Sequence, residues 1–113
     1  MSHRWKVQLS RQAEHDFAEI LQGTVRMFGP AQAEIYAETL GLAIEALSEG
    51  PDVLGSKARD EIFPGIRTLH VARQGRKGGH FVVFRTGSGQ IIEVLTMWVD
   101  KRSASTEPPM DAG

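Results

Sequence analysis

Apolar and polar side chains alternate along residues 5–9, and this period of two predicts a strand with one buried face. Ser10 follows at a position suited to a helix N-cap, because its hydroxyl can accept a hydrogen bond from a backbone N–H of the first turn. From residue 11 the apolar positions recur every three or four residues, which places them on one face of a helix. These positions are Ala13, Phe17, Ile20, Leu21, Thr24 and Phe28.

Gly29 and Pro30 interrupt the periodicity, and a second helix is predicted to begin there, since proline at the first helical position loses no hydrogen bond. Gly50 and Pro51 end this helix, because glycine can adopt a left-handed conformation and proline cannot continue the helix. Two helices with so short a connection predict an antiparallel hairpin. The apolar positions of the second helix are Ala33, Tyr36, Ala37, Leu40, Ala43, Ile44 and Leu47.

Three further segments are rich in β-branched and aromatic residues and predict strands. They are residues 67–72, 81–85 and 91–95, with a glycine-bearing hairpin turn at 86–89 and a basic connection at 73–79. Residues 52–60 have the composition of an irregular loop. The order is therefore β-α-α-β-β-β. It predicts an α+β fold in which the helical hairpin packs on a twisted antiparallel sheet of about four strands.

The length of 113 residues predicts one domain over residues 1–100 and a polar, flexible tail over residues 101–113. The chain has no cysteine, which excludes disulfides and thiolate chemistry. No apolar run approaches the roughly 20 residues that span a bilayer. The first ten residues lack the apolar core of a secretory signal. We therefore expect a cytoplasmic protein that does not bind membranes.

The net charge of −1 conceals an asymmetry between the two halves of the chain. Residues 1–50 carry four Lys/Arg and seven acids, whereas residues 57–85 carry seven Lys/Arg and two acids. A basic half of this kind could face an acidic protein segment or a phosphate backbone, and it could equally be a solvated surface. The sign of the charge does not choose among these three interpretations.

Few residue patterns point to catalysis. His70 and His80 lie on consecutive predicted strands, but a metal site built on them would lack further ligands at suitable spacing. The glycines of residues 75–79 do not open a helix, as a phosphate-binding loop requires. We therefore expect no cofactor and no metal. One catalytic option is an RNA-cleaving cluster on the sheet, divided between its faces by strand alternation. Its members would be Arg67, His70, Arg73, His80 and Arg85.

Three segments, taken together, resemble the ParE toxins of bacterial ParDE toxin–antitoxin systems, within the broader RelE/ParE family. The resemblance covers residues 7–100. The first segment is Phe28-Gly29-Pro30-Ala31-Gln32-Ala33 with Tyr36 one turn later, and the second is Glu61-Ile62-Phe63-Pro64-Gly65-Ile66-Arg67. The third is the hairpin made of His80-Phe81-Val82-Val83-Phe84-Arg85 and Ile91-Ile92-Glu93-Val94-Leu95, which leads to Asp100.

The resemblance implies a small α+β toxin that inhibits DNA gyrase by binding it and that has no catalytic site. It implies neutralisation by a ParD-like antitoxin in a hetero-oligomer, with no sequence-specific DNA binding by the toxin alone. ParE sequences commonly carry histidine where this chain has Thr96, and Trp98 is also unusual, whereas Asp100 matches. Two alternatives stay open: a RelE-type ribosome-dependent mRNA endoribonuclease, and an inert antitoxin-binding co-repressor. No residue after His80 titrates near neutral pH, which argues against the nuclease.

Six residues are candidates for partner binding, each with a structural alternative. Arg67 and Arg85 could clamp a carboxylate of the partner or form local salt bridges with Glu61 or Glu93. Trp98 could anchor an interface or cover the core. The cations of the basic connection, Arg73, Arg76 and Lys77, could contact the target or be solvated. Both faces of the hairpin are largely apolar, so a partner is expected to cover the second face. One face would carry Val82, Phe84, Ile92 and Val94, and the other Phe81, Val83, Ile91 and Glu93.

Overall fold

The computed structural model describes residues 4–100, and the predicted tail at residues 101–113 lies outside the described residues. Two helices pack on one face of a five-stranded sheet, which confirms the α+β class and the helical hairpin. A short 3-10 helix, Leu47–Glu49, follows the second helix. The elements are β1 (Lys6–Leu9), α1 (Arg11–Phe28), α2 (Pro30–Ala46), β2 (Ser56–Ala58), β3 (Arg67–His70), β4 (His80–Gly87) and β5 (Ile91–Val99).

The start of α1 is fixed by Ser10, as its position in the sequence predicts. Its Oγ accepts the N–H of Ala13 at 3.0 Å and donates to the carbonyl of Leu95 at 2.7 Å, so one hydroxyl joins the helix to the sheet. Gly29 ends α1 with φ of 92°, a value that favours glycine, and its N–H donates to the carbonyl of Val25. Pro30 is the first residue of α2.

The strand order β1-β5-β4-β3-β2 corrects two details of the expected sheet. The sheet is mixed rather than antiparallel throughout, because β1 runs parallel to β5. Periodicity identifies a strand but not the neighbour or direction of that strand. Residues 56–58, expected within an irregular loop, form the edge strand β2 paired with β3. Three residues are too few for an alternating pattern to be recognised.

The core lies between the helices and the sheet. Val82, Phe84, Ile92 and Val94 are fully buried there, as predicted for one face of the hairpin. Leu40 and other apolar residues of α2 cover them. On the opposite face Val83 is also buried, so part of the second face is covered by the chain itself. Within residues 4–100 no helix is long and apolar enough to cross a membrane.

The β4–β5 pairing contains a bulge. Val83 pairs with Thr96 and Phe84 with Val94, so Leu95 is the extra residue of β5. Beyond the bulge no described residue pairs with β5 on the side of β1, since the β1 pairing ends at Val94. At this position α1 contacts β5 through its N-cap Ser10 and through the carboxylate of Asp16.

Candidate functional site

Arg67 lies at the start of β3 and is held by the loop that follows α2. Its Nε donates to the carbonyl of Pro51 at 2.8 Å, and its Nη2 donates to Oγ of Ser56 at 2.9 Å. The nearest carboxylate is Asp52, with Nη2 and Oδ1 3.7 Å apart, and not Glu61 or Glu93 as the local alternative supposed. Arg67 therefore joins residues 51–56 to the start of β3.

Arg76 joins the basic connection to α2. Its Nε donates to Oγ1 of the buried Thr39 at 2.9 Å, and its Nη2 lies 2.9 Å from Oε1 of Glu38. The same Nη2 is 3.4 Å from the carbonyl of Ile35. Charged hydrogen bonds to a part-buried hydroxyl fix a loop more firmly than a surface ion pair does. Arg76 thus fixes the connection against the helix.

The other two cations of this connection are less constrained. Arg73 Nη2 lies 3.4 Å from the carbonyl of Leu54, at the limit of a hydrogen bond. Lys77 is exposed. These two side chains are therefore free to contact a partner.

Arg85 forms a cross-strand ion pair, with its Nε 2.7 Å from Oε1 of Glu93. The two residues are directly paired in the β4–β5 register. This is the local salt bridge expected as the structural alternative. Since both side chains are substantially exposed, the pair contributes little to stability, and Arg85 remains accessible.

Trp98 does not cover the core. Its neighbour Met97 packs among the core residues, so alternation places Trp98 on the opposite face of β5, where it is 40% exposed. Trp98 pairs with Phe81 of β4. Together with Val99 and Arg59 these two aromatic residues line a shallow, mostly apolar depression, which we call the Trp98 surface.

The proposed RNA-cleaving cluster does not converge. In the β3–β4 register Arg67 pairs with Phe84 and His70 with Phe81, so the two candidates are three residues, about 10 Å, apart along the sheet. His80 and Arg85 occupy opposite ends of β4 in the same way. Arg67 and Arg85 therefore lie at one end of these strands, and His70 and His80 lie at the other.

The structure brings Tyr36 to His80, a contact that the sequence did not reveal. The hydroxyl of Tyr36 lies 2.6 Å from Nδ1 of His80 and accepts the N–H of Gly79 at 3.2 Å. The hydroxyl therefore donates a hydrogen bond to Nδ1. Nδ1 then carries no hydrogen, so the imidazole is neutral with its hydrogen on Nε2. Burial raises the pKa of Tyr36, although the Gly79 N–H opposes this. Burial, followed by the charge of nearby His70, lowers the pKa of His80.

His70 is paired with Asp100. Its Nε2 lies 2.8 Å from Oδ2 of Asp100, and its Nδ1 accepts the N–H of Ala72 at 3.0 Å. Because Nδ1 acts as an acceptor, Nε2 carries the hydrogen and donates it to the carboxylate. Phe81 contacts the ring edge-on, with the centroids 4.7 Å apart. Both nitrogens of His70 are engaged, so the ring lacks a free position from which to abstract a proton.

Thr96, which the resemblance singles out, contacts α1. Its hydroxyl donates to Oδ2 of Asp16, and the same oxygen accepts the N–H of Met97 at 3.2 Å. Burial raises the pKa of Asp16, but the hydrogen bonds from Thr96, Gln12 and Met97 outweigh it, and the net shift is downward. Asp16 thus accepts a backbone N–H of β5 beyond the bulge. The sequence does not distinguish this carboxylate from the other acidic residues of α1.

A stability measurement against pH tests the Tyr36–His80 contact. Since the pKa of His80 is lowered by folding from about 6.5, the unfolded chain binds the proton more readily. Stability should therefore fall as the pH decreases from 7.5 towards the folded-state pKa of His80. In His80→Asn the amide oxygen can replace Nδ1 as an acceptor for Tyr36 without titrating. We expect urea unfolding at pH 7.5 and 5.5 to show a smaller decrease for this variant. If His80→Asn lost as much stability between pH 7.5 and 5.5 as the parent protein, His80 would not be the source of the pH dependence.

The sequence model of one protein family, the ParE toxin of the type II toxin–antitoxin system parDE, matches residues 7–103 of the chain. The structure of a chromosomal ParDE system from P. aeruginosa is similar, with a TM-score of 0.70 and 23% identity, covering 87% of this chain and 98% of that one. The toxin–antitoxin complex RelBE2 from Mycobacterium tuberculosis gives a TM-score of 0.56 and 18% identity, covering 85% and 98%. At such identities the likeness concerns the fold alone. No curated protein sequence is a significant match.

Proposed function

The chain belongs to the ParE toxin family of type II toxin–antitoxin systems, and from this premise we propose that it inhibits DNA gyrase by binding it. We further propose that a ParD-like antitoxin neutralises it within a hetero-oligomer. Such a target places the protein in the cytoplasm. The toxin acts as a binding protein and makes or breaks no covalent bond.

The Trp98 surface is the observation that carries this proposal. It presents Trp98 and Val99, 40% and 57% exposed, beside the side chain of Arg59. Tryptophan and arginine are the residues most enriched at the energetic centres of protein interfaces. An apolar depression with one cation at its edge suits a protein partner better than a phosphate backbone, which is bound chiefly by charge.

The state of His70 supports binding over catalysis. A general acid or base must reach the proton that it transfers, through a ring nitrogen that is available to substrate. His70 uses both nitrogens within the chain, and His80 uses Nδ1 for Tyr36.

A supercoiling assay tests the proposal. Purified protein should reduce ATP-dependent supercoiling by gyrase or stabilise gyrase–DNA cleavage complexes, and the antitoxin should reverse the effect. Unimpaired supercoiling at a large molar excess of the protein would count against gyrase as the target. Growth without arrest on induction would then favour the inert co-repressor.

The variant Trp98→Ala tests the Trp98 surface itself. Truncation of a central interface tryptophan costs about 2 kcal/mol or more, so the concentration for half-maximal inhibition should rise about 30-fold. Met27→Ala is the matched control, because Met27 is 76% exposed at the far end of α1. Its inhibition should remain within about twofold of the parent. Equal potency of the two variants would exclude the Trp98 surface from the contact with gyrase.

The endoribonuclease remains the second candidate, since the accessible cations Arg73 and Lys77 lie in the connection that leads to His80. Mapping of mRNA 5′ ends after induction separates the two functions. Ribosome-dependent cuts that appear on induction of the parent protein and disappear in His80→Asn would favour the nuclease. A map of 5′ ends that does not change on induction of the parent protein would favour binding.

A further inference from the structure

The outer face of the sheet, which is turned away from the helices, carries three cations. Arg85 follows Phe84, whose side chain lies in the core, so strand alternation places Arg85 on the outer face. On β2, Ala58 is aligned with Phe84 through β3, so the residues on either side of Ala58 also lie on the outer face. The three cations of this face are Lys57, Arg59 and Arg85, and we call them the cationic track.

The cationic track is continuous with the Trp98 surface. Arg59 belongs to both, because its side chain lines the depression beside Trp98. Along β4, Arg85 lies four residues after Phe81, a distance of about 13 Å. An extended segment of about five residues therefore reaches from the aromatic end of this face to Arg85.

Two cations of the track are bound by carboxylates that solvent can reach. Nε of Arg59 lies 2.7 Å from Oε2 of Glu61, which is 64% exposed. Nε of Arg85 lies 2.7 Å from Oε1 of Glu93, which is 39% exposed. Because exposed ion pairs contribute little to stability, a carboxylate of a partner can take the place of either glutamate. The two glutamates thus mark positions at which this face binds a carboxylate.

An acidic peptide suits this face better than a single-stranded nucleic acid does. Bases bind by stacking on a series of exposed rings, whereas Phe81 is half-buried and contacts His70 edge-on. A phosphate backbone is bound by cations that are free along its length, whereas Arg59 and Arg85 each already hold a carboxylate. The face instead offers one apolar depression and separate positions for single carboxylates.

We propose that the Trp98 surface and the cationic track together bind an acidic segment of gyrase that carries one apolar side chain. The inference rests on the proposed function in taking gyrase as the partner. The apolar side chain of the segment fills the depression beside Trp98. One of its carboxylates displaces Glu61 from Arg59, and a second displaces Glu93 from Arg85.

Inhibition of gyrase by charge variants tests this exchange of carboxylates. If the two glutamates compete with the partner, Glu61→Gln and Glu93→Gln should each lower the concentration for half-maximal inhibition about threefold. Arg59→Gln and Arg85→Gln remove the cations themselves and should each raise this concentration about tenfold. A purely structural role of the ion pairs predicts the same direction for both members of a pair, because either substitution breaks it.

Two control variants repeat these changes in charge elsewhere on the surface. Glu34→Gln lies on α2 and Arg26→Gln lies on α1, and both parent side chains are exposed. Their half-maximal concentrations should stay within about twofold of the parent value. Circular dichroism checks that every variant retains its fold. The proposal is overturned if the arginine and the glutamate of a pair shift inhibition in the same direction, or if neither shifts it more than the controls do.

Titration with short probes tests the chemistry of this face without gyrase. Tryptophan fluorescence is followed as a peptide with one leucine between two runs of glutamate is added, and Trp98→Ala identifies the signal that comes from Trp98. The acidic peptide should bind at least about tenfold more tightly than its lysine counterpart or an oligothymidylate, and less tightly at high salt. Equal or tighter binding of either alternative, or no response to the acidic peptide, would contradict the inference.

The two assays keep this inference apart from the proposed function. If the parent protein does not inhibit gyrase but its Trp98 fluorescence responds to the acidic peptide alone, the proposed target is wrong and the chemistry of the surface stands. If gyrase is inhibited but the charge variants behave as the controls do, the target stands and the inference is wrong.

Discussion

Replacement of Phe84 by alanine should lower the free energy of unfolding by about 3–5 kcal/mol, the usual cost of removing a fully buried phenylalanine. Phe84 is 0% exposed and lies in the middle of β4, between β3 and β5. Its ring packs in the core beneath the helices, so alanine would leave a cavity that the paired strands cannot close. No other described residue that is equally buried is as large.

Phe63→Ala is the matched control, because it removes the same atoms from a side chain that is 63% exposed in the loop before β3. Its free energy of unfolding should stay within about 0.5 kcal/mol of the parent. Urea denaturation followed by circular dichroism measures both variants. A loss below about 1 kcal/mol for Phe84→Ala would show that the sheet collapses around the cavity, contrary to the packing described.

Gly78→Ala should destabilise the protein by about 2–4 kcal/mol, a sum of overpacking and a lost buried hydrogen bond. A Cβ at this position would lie 2.6 Å from Cγ2 of the buried Val71 and 2.8 Å from Cε1 of Tyr36. Neither atom can move without disturbing its surroundings, since Val71 is in the core and Tyr36 is bonded to His80 and Gly79. The tyrosine ring should therefore shift away from His80.

Two measurements separate this effect from a general loss of stability. Titration of His80 by NMR should show its pKa moving back towards the ordinary histidine value, as the ring becomes more solvated. Gly41→Ala is the control, and it should change the free energy of unfolding in the opposite direction. Its Cβ would meet nothing within 4 Å in the middle of α2, and alanine should stabilise the helix by about 0.5–1 kcal/mol. Destabilisation of similar size by both substitutions would refute a specific role for Gly78.

The local elements of this fold follow from the sequence. Ser10, Gly29 and Pro30 mark the ends of α1 and the start of α2, because capping and proline geometry depend only on neighbouring residues. The inward set of the hairpin, which includes Phe84, follows from strand alternation in the same way. The resemblance to ParE toxins required only the order of these segments, and the family match confirms it.

The candidate site was predicted less completely. Trp98 and the cations of the basic connection were identified by residue type, but their surroundings were not. Arg76 proves to be bonded to α2, whereas Lys77 is exposed.

Periodicity and short segments locate the helices and most of the strands and identify the family, because each of these depends on neighbouring residues. Three contacts are visible only in the folded chain: β1 runs parallel to β5, Tyr36 donates a hydrogen bond to His80, and Asp16 accepts the N–H of Met97 at the edge of β5. Each of these contacts joins residues at least 44 positions apart. The physical reason is that hydrogen-bond partners distant in sequence are chosen by the packing of the whole chain, for which no local pattern exists.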